Sequence, residues 1–215
     1  MTAFPSWRRA LALLLVCAAT LFIWRDRIAF ELGYAHARGD FHGWTFARDD
    51  AKAATWLRRA AEAGHARAQY MLGLNYSHGW GVKQSDAEAE YWFNRAAGQA
   101  YGPACFHLAW MLHKGEGVAR DEARARRLMI RAAEMGMSAA GLALGRFHER
   151  GEGVAKDLDA ALRWYSQAAE SSREHPEAFD NAQFTDKAVA ARDHLREVAA
   201  LSLPGDPSAR PTVSP

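Results

Sequence analysis

The sequence predicts an all-α solenoid in which helix-turn-helix pairs repeat every 36 residues. Three columns of residues recur in one register and support this fold class. Alanine pairs lie at Ala60-Ala61, Ala96-Ala97, Ala132-Ala133 and Ala168-Ala169. Glycine loops begin at residues 78, 114 and 150 as HGWGV, KGEGV and RGEGV, and the third column consists of Leu72-Gly73, Leu108-Ala109 and Leu144-Gly145. A period of about 20 to 50 residues is typical of stacked repeats, so we predict four helix pairs in a right-handed solenoid, a terminal helix and no sheet.

Length and composition are those of one globular body. The chain has 215 residues, of which 24% are charged and 49% hydrophobic. We predict an N-terminal membrane segment over residues 1–28, repeats over 29–172, C-terminal capping helices over 173–201 and a disordered tail over 202–215. The net charge of +2 arises from interleaved basic and acidic residues, so the sequence does not favour a nucleic-acid partner.

An apolar run extends from Ala10 to Trp24, directly after Arg8 and Arg9. As a helix it spans only about 22 Å, against ~30 Å for the hydrocarbon core of a bilayer. We predict an uncleaved anchor through residues 10–24, because the run continues past the small residues that a signal peptidase requires. A cleaved signal peptide and a lipid-modified Cys17 stay open as alternatives. We expect the two arginines to keep the N-terminus in the cytoplasm, so that the repeats lie on the other side of the membrane.

Each repeat is predicted to contain two helices joined by a glycine loop. The first helix of the clearest copy runs from Ala66 to His78 and ends at Gly79, because glycine readily takes the left-handed conformation of a helix C-terminus. The second helix begins after an N-cap residue. The predicted caps are Asp49, Ser85, Asp121 and Asp157. A column of large residues is predicted to anchor the second helices, and it consists of Trp56, Trp92, Leu128 and Trp164.

Both ends of the repeat array depart from this pattern. The first repeat has four extra residues, in the aromatic loop RGDFHGWTFARD that contains Trp44. This loop either covers the first repeat or belongs to a binding site. Near the other end, Thr185 to Leu201 has the apolar spacing of an amphipathic helix that covers the last repeat. The proline- and serine-rich residues that follow are predicted to be disordered.

The sequence contains no pattern typical of catalysis or metal binding. Of the nine histidines, four in the repeats share no repeat column and lack the Cys/His spacing of zinc sites; they are His78, His107, His113 and His148. Asp121 and Asp157 are explained as helix caps rather than as paired catalytic carboxylates. Cys105 has no second cysteine in the repeats and is predicted to be a small buried residue. We therefore predict that the chain is not an enzyme and holds no cofactor or metal.

The segment AAEAGHARAQYMLGLNYSHGWGV from residue 60, followed by AEAEYWFNRAA from residue 87, resembles a repeat of the Sel-one-like family, a branch of the tetratricopeptide-type α-solenoids. The resemblance covers about residues 29 to 172 and implies a protein-protein interaction adaptor, often in bacterial envelopes. With the predicted anchor, it implies a single-pass protein of the inner membrane whose repeats face the periplasm. The partner would be an envelope regulator or secretion component. The alternative is an immunity protein that inhibits a toxic phospholipase-type effector in the periplasm, as some members of the family do.

Helical spacing predicts which side chains face the partner. If Ala68, Leu72 and Tyr76 point into the core, residues 67, 71, 74 and 78 form a stripe on the concave side. The predicted protein-binding residues come from repeating this stripe every 36 residues, from aligning Leu32 with Leu72 in the first repeat, and from the aromatic loop. They are Tyr34, Trp44, Met71, Leu74, His78, His107, Trp110, Lys114, Arg146 and Arg150. These residue types are frequent in protein interfaces, although packing against the adjacent helix pair stays open for Leu74 and Trp110.

Overall fold

Four helix pairs and a terminal helix form the part of the chain that the computed structural model describes, which is residues 27–41, 44–45, 47–174 and 181–202. The first helices of the pairs are α1 over residues 27–38, α3 (Ala66–His78), α5 (Gly102–Lys114) and α7 (Ser138–Arg150). The second helices are α2 (Asp50–Glu62), α4 (Asp86–Gly98), α6 (Glu122–Glu134) and α8 (Leu158–Glu174), and α9 (Asn181–Ser202) follows them. The predicted all-α solenoid of helix pairs is confirmed.

The long loop of the first pair contains a short strand pairing. Strand β1 (Asp40–Phe41) runs antiparallel to β2 (Trp44–Thr45), and Phe41 pairs with Trp44. The described helices and the shorter loops between them contain no strand, as expected. The long loop of the first pair contains two strands of two residues each. The side chain of Trp44 lies outside the described residues, so its predicted role in binding stays a prediction.

The backbone bond that closes each loop shows where the four extra residues lie. The amide of Ser85 donates to the carbonyl of Tyr76 at 2.9 Å, and Asp121 and Asp157 make the same bond nine residues back along the chain. In the first pair, the amide of Asp49 donates to the carbonyl of His36 at 3.1 Å, a span of 13 residues. The difference of four residues matches the predicted insertion. The strand pairing lies within this longer loop.

Helix ends follow the predicted cap chemistry. Each predicted N-cap side chain accepts a hydrogen bond from the backbone N–H three residues ahead. The distances at Asp49, Ser85, Asp121 and Asp157 are 2.9, 3.3, 2.8 and 2.8 Å. The first helices α3, α5 and α7 end at Gly79, Gly115 and Gly151, whose φ angles are 74°, 72° and 74°. The caps and the glycine termini are therefore confirmed.

The second glycine of each loop allows a close contact between neighbouring pairs in the first unit of the chain. A Cβ atom on Gly81 would lie 1.9 Å from the carbonyl oxygen of Asp50, in the first turn of α2. A Cβ atom on Gly117 would lie 2.0 Å from the Cβ of Asp86, at the start of α4. Each loop thus rests on the second helix of the preceding pair, and only glycine fits there.

The anchor column of the second helices lies one residue beyond the predicted tryptophans. Leu57, Phe93, Met129 and Tyr165 are 0%, 1%, 1% and 1% exposed. Trp92 is 6% exposed, whereas Trp56 and Trp164 are only half-buried. The glycines of the Leu-Gly column explain why this position is the more buried one. A Cβ on Gly73 would lie 2.6 Å from the Phe93 ring, and one on Gly145 would lie 2.3 Å from the Tyr165 ring. These glycines make room for the rings that fill the core.

The chain divides into two compact units, one up to Ala125 and one from Arg126 onwards. In the second unit, α9 covers α8 with the buried side chains of Ala188 and Leu195, as predicted for a terminal helix, although α9 begins four residues earlier than expected. The predicted anchor through residues 10–24 and Cys17 lie outside the described residues, and so do residues 203–215 of the predicted tail over 202–215, whose first residue, Ser202, ends α9. Within the described part, no helix is both long and apolar enough to cross a membrane.

Candidate protein-binding face

A stacked cluster of one arginine and two aromatic rings joins α1 to α3. Phe30 and Tyr34 are four residues apart on α1, so their rings lie on one side of the helix and stack at 6.0 Å. The guanidinium carbon of Arg67, near the start of α3, lies 5.4 Å from the Phe30 ring centroid and 5.0 Å from that of Tyr34. Phe30 is buried, Tyr34 is half-buried and Arg67 is exposed.

His65 supports this cluster from the N-terminus of α3. Its ring stacks on Phe30 at 4.4 Å, and its Nδ1 accepts a hydrogen bond from the amide of Ala68 at 3.3 Å. Burial, and then the positive charge of Arg67, lower the pKa of His65. The ring is therefore neutral at pH 7, as an accepting cap requires, and Arg67 carries the positive charge of the cluster.

The middle of α3 has the predicted division into a core side and an opposite side. Ala68 and Leu72 are completely buried, whereas Met71 and Leu74 are half-buried. Met71 packs against the same core cluster as Tyr34. The stripe that helical spacing predicted on α3 is thus partly accessible, with two apolar residues between Arg67 and His78.

His107 on α5 mainly packs against neighbouring rings. Its ring centroid lies 5.5 Å from that of Tyr70 and 5.7 Å from that of Phe93. Burial, with a smaller contribution from His78, lowers the pKa of His107 to about 4. A neutral, half-buried ring of this kind contributes packing to α5 and offers little surface to a partner.

Trp110 lies one turn further along α5 and is half-buried. Its ring makes T-shaped contacts with Phe106 and His113, at 6.2 and 5.5 Å between centroids. The Lys114 ammonium lies 6.0 Å from the Trp110 ring and 3.3 Å from a carboxylate oxygen of Glu116. Trp110 therefore combines an accessible apolar surface with an adjacent exposed cation.

Trp80 is a surface aromatic that the spacing argument did not include. It is 42% exposed and stacks on His78 with ring centroids 4.3 Å apart and an interplanar angle of 18°. The guanidinium carbon of Arg48 lies 6.0 Å from the same ring. The signal was present in the glycine loops, because the position of Trp80 in HGWGV is glutamate in the next two, Glu116 and Glu152.

The two predicted arginines of α7 belong to the second unit. Arg146 and Arg150 are both exposed, and Arg150 lies 3.4 Å from a carboxylate oxygen of Glu152. Between them along the chain, Glu149 accepts a hydrogen bond from the buried Tyr165 hydroxyl at 2.6 Å. Burial and this carboxylate raise the pKa of Tyr165. The α7 surface is therefore polar, unlike that of α3 and α5.

We call the accessible side of α1, α3 and α5 in the first unit the first-helix face. It comprises Tyr34, Arg67, Met71, Leu74, His78, Trp80, Trp110 and Lys114. The face combines aromatic and aliphatic surface with the cations of an arginine and a lysine, a composition suited to protein binding. Among the residues that the structure describes, no three His, Cys, Asp or Glu side chains are grouped so that they could hold a metal ion.

Comparison with known proteins agrees with the repeat boundaries. The model of the Sel1 repeat family matches residues 29–65, 66–101, 102–137 and 138–172, one match for each helix pair. No curated protein matches the chain significantly.

Solved structures show the same architecture. A protective antigen of uropathogenic Escherichia coli strains with an SLR fold is 30% identical, with a TM-score of 0.64, over 83% of this chain and 42% of that one. This chain therefore spans less than half of that protein. A Sel1 repeat protein from Oxalobacter formigenes is 28% identical, with a TM-score of 0.63, over 80% of this chain and 73% of that one. An immunity protein from Pseudomonas aeruginosa is 16% identical with a TM-score of 0.38, over 85% and 89% of the two chains, too distant to support a functional argument.

Proposed function

The chain belongs to the Sel1 repeat family, and we propose that it is a non-catalytic adaptor that binds another protein through the first-helix face. The observation that supports this proposal is the accessible aromatic and aliphatic surface on α3 and α5. Trp110, Met71 and Leu74 are half-buried there, although the anchor column and the alanine pairs already fill the core. Half-buried aromatic side chains with adjacent cations are typical binding hot spots.

We further propose that residues 10–24 anchor the adaptor in the inner membrane and that the repeats face the periplasm. The apolar run after Arg8 and Arg9 supports this proposal. The partner would then be an envelope protein, such as a regulator or a secretion component. Signal cleavage would release the same repeats into the periplasm without changing the first-helix face.

The alternative of an immunity protein stays a prediction. An inhibitor has to bind one toxin tightly and abolish its activity, whereas an adaptor can bind several partners without blocking catalysis. Measuring the phospholipase activity of a captured partner, with and without the full chain, distinguishes the two. Complete inhibition at one-to-one stoichiometry would favour the immunity role.

The test of the adaptor role uses the full-length chain as bait in envelope extracts, followed by affinity measurement with each purified partner. Trp110→Ala should weaken binding by about 2 kcal/mol, roughly thirtyfold, because a central aromatic anchor is lost. Tyr91→Ala is the matched control, since Tyr91 is a 52% exposed aromatic on the second helix α4. Equal affinities of wild type and Trp110→Ala, with Tyr91→Ala weaker, would place the binding site on the second helices instead.

A further inference from the structure

We propose that Arg67 is a carboxylate-binding residue, and that the first-helix face takes an acidic protein segment whose Asp or Glu side chain pairs with it. This inference rests on the proposed binding function and specifies the chemistry of the partner. It depends on the geometry around Arg67 rather than on Trp110. The two proposals can therefore fail separately.

The position of Arg67 leaves its hydrogen-bond donors available. Its guanidinium lies over Phe30 and Tyr34, at 5.4 and 5.0 Å from the ring centroids. A guanidinium held against ring faces keeps N–H donors free for bidentate contact with a carboxylate. Within the described part of the chain, no carboxylate oxygen lies within 4.0 Å of Arg67, whereas Arg120 and Arg124 are paired with Glu122 and Glu90.

Local charge favours an anion at this position. Arg38 lies 5.4 Å from the same Tyr34 ring, so two guanidinium groups contact one aromatic side chain. Glu31 is the acidic residue of α1; it is exposed and makes no ion pair with Arg67. A carboxylate bound at Arg67 would interact favourably with the positive charge of its guanidinium.

The residues beside Arg67 indicate a protein segment rather than an isolated anion. Met71 and Leu74 follow on the same side of α3, about 6 Å and about 10 Å along the helix axis from Arg67. In an extended partner, those distances correspond to about two to three residues. The expected recognition pattern is therefore an Asp or Glu with an apolar side chain two or three residues away.

Repeat comparison shows that this site is confined to the first unit. In the pairs that follow, the positions equivalent to Arg67 are Pro103 on α5 and Ala139 on α7. Neither side chain can bind a carboxylate. The acidic residue of the partner should therefore lie at the α1 end of the face, and its apolar residues should extend towards Trp110.

The experiment is a selection of random 12-residue peptides displayed on phage, with the full-length chain as target. Peptides that bind wild type are resynthesised, and their affinities are measured by fluorescence anisotropy with their Asp and Glu residues intact or replaced by Asn and Gln. We expect the selected peptides to share the acidic-apolar pattern. Arg67→Gln should weaken their binding at least about tenfold, and the amide peptides should bind both proteins equally weakly.

Two variants separate charge from geometry and from folding. Arg67→Lys keeps the charge but loses the bidentate contact, so its affinity should lie between those of wild type and Arg67→Gln. Arg95→Gln should bind like wild type, although Arg95 also lies over aromatic rings, 5.4 Å from Trp92 and 5.9 Å from Tyr91 on α4. Thermal unfolding checks that all variants fold.

The inference is overturned if the selected peptides lack acidic residues, or if Arg67→Gln binds them as tightly as wild type does. If such peptides still lose affinity with Trp110→Ala, the adaptor proposal survives without the carboxylate site. If the wild-type chain selects no peptide, both the carboxylate site and peptide binding by this face are wrong.

Discussion

Histidines of the first unit differ according to their surroundings. His107 packs against Tyr70 and Phe93, whereas His78 is exposed and stacks on Trp80. His113 Nδ1 lies 2.9 Å from a carboxylate oxygen of Glu122. One residue type thus serves in packing, in surface stacking and in a polar contact.

Acid should destabilise the folded first unit through His107. The folded pKa is about 4 against 6.5 for the unfolded chain, so the unfolded state binds the proton first as the pH falls. The stability that the neutral, half-buried ring contributes to the fold is fully present above pH 6.5 and is lost as the pH falls towards 4. The free energy of unfolding should decrease by about 2–3 kcal/mol across this window.

Urea unfolding of the full chain at several pH values between 7 and 4 measures this decrease. His107→Phe keeps a ring against Tyr70 and Phe93 but cannot titrate, so its stability should vary less over the same range. Identical pH profiles of wild type and His107→Phe would show that other groups control the acid response.

The loops after α3 and α5 act at the scale of the element, because each one joins its own pair of helices and contacts the pair before it. Gly79 ends α3, and two residues later Gly81 rests on the first turn of α2. The cap Ser85 then starts α4 and donates its amide to the α3 carbonyl of Tyr76. A few local hydrogen bonds and one close contact therefore set the angle between the two helices and their distance from the preceding pair.

Gly81→Ala should destabilise the first unit more than Gly64→Ala does. Both glycines have positive φ, 67° and 100°, so both substitutions strain the backbone. Only the Gly81 methyl group would meet another element, at 1.9 Å from the Asp50 carbonyl oxygen, whereas Gly64 has open space around it. We expect an additional loss of about 1–3 kcal/mol for Gly81→Ala.

Chemical denaturation of the two variants and wild type gives this difference directly. A loss at Gly81 equal to that at Gly64 would mean that the loop moves away from α2 without cost. In that case the contact would not determine how the pairs stack.

At the scale of the whole molecule, each of the two units has its own core. In the first unit, α1, α2, α3 and Trp92 of α4 share one apolar cluster. In the second, α9 closes the array over α7 and α8. A terminal helix with an apolar inner side and a polar outer side is a general requirement of repeat proteins, since the last repeat has no following neighbour to cover it.

The proposed topology is a prediction for the whole chain. A phosphatase reporter fused after Leu201 should be active, and a reporter that works only in the cytoplasm should be silent in the same position, because the proposal assigns Arg8 and Arg9 to the cytoplasmic side. Replacing both arginines by glutamate is the matched control and should reduce phosphatase activity. The opposite reporter pattern would invert the topology, and release of the chain from membranes by salt alone would contradict the anchor.

The repeat period, the caps and the glycine helix ends could be read from the sequence because each depends on groups a few residues apart. Asp121 caps α6 through an amide three residues ahead, and Gly115 ends α5 by a conformation that other residues rarely adopt. The alanine pairs were equally visible, since only small side chains allow close helix contact at every repeat. All four pairs and the terminal helix follow from these local rules.

Tertiary structure alone decided which side chains on the predicted stripe remain accessible. Helical spacing predicted both His107 and Trp110 as protein-binding residues, but rings from α3 and α4 cover much of His107. It also left out Trp80, which lies beyond the end of α3 and whose ring is 6.0 Å from the guanidinium carbon of Arg48, 32 residues away in the sequence. Arg67 is positioned by rings 33 and 37 residues before it, on another helix. Spacing determines the direction of a side chain from its own helix, whereas burial and charge depend on the helices packed beside it.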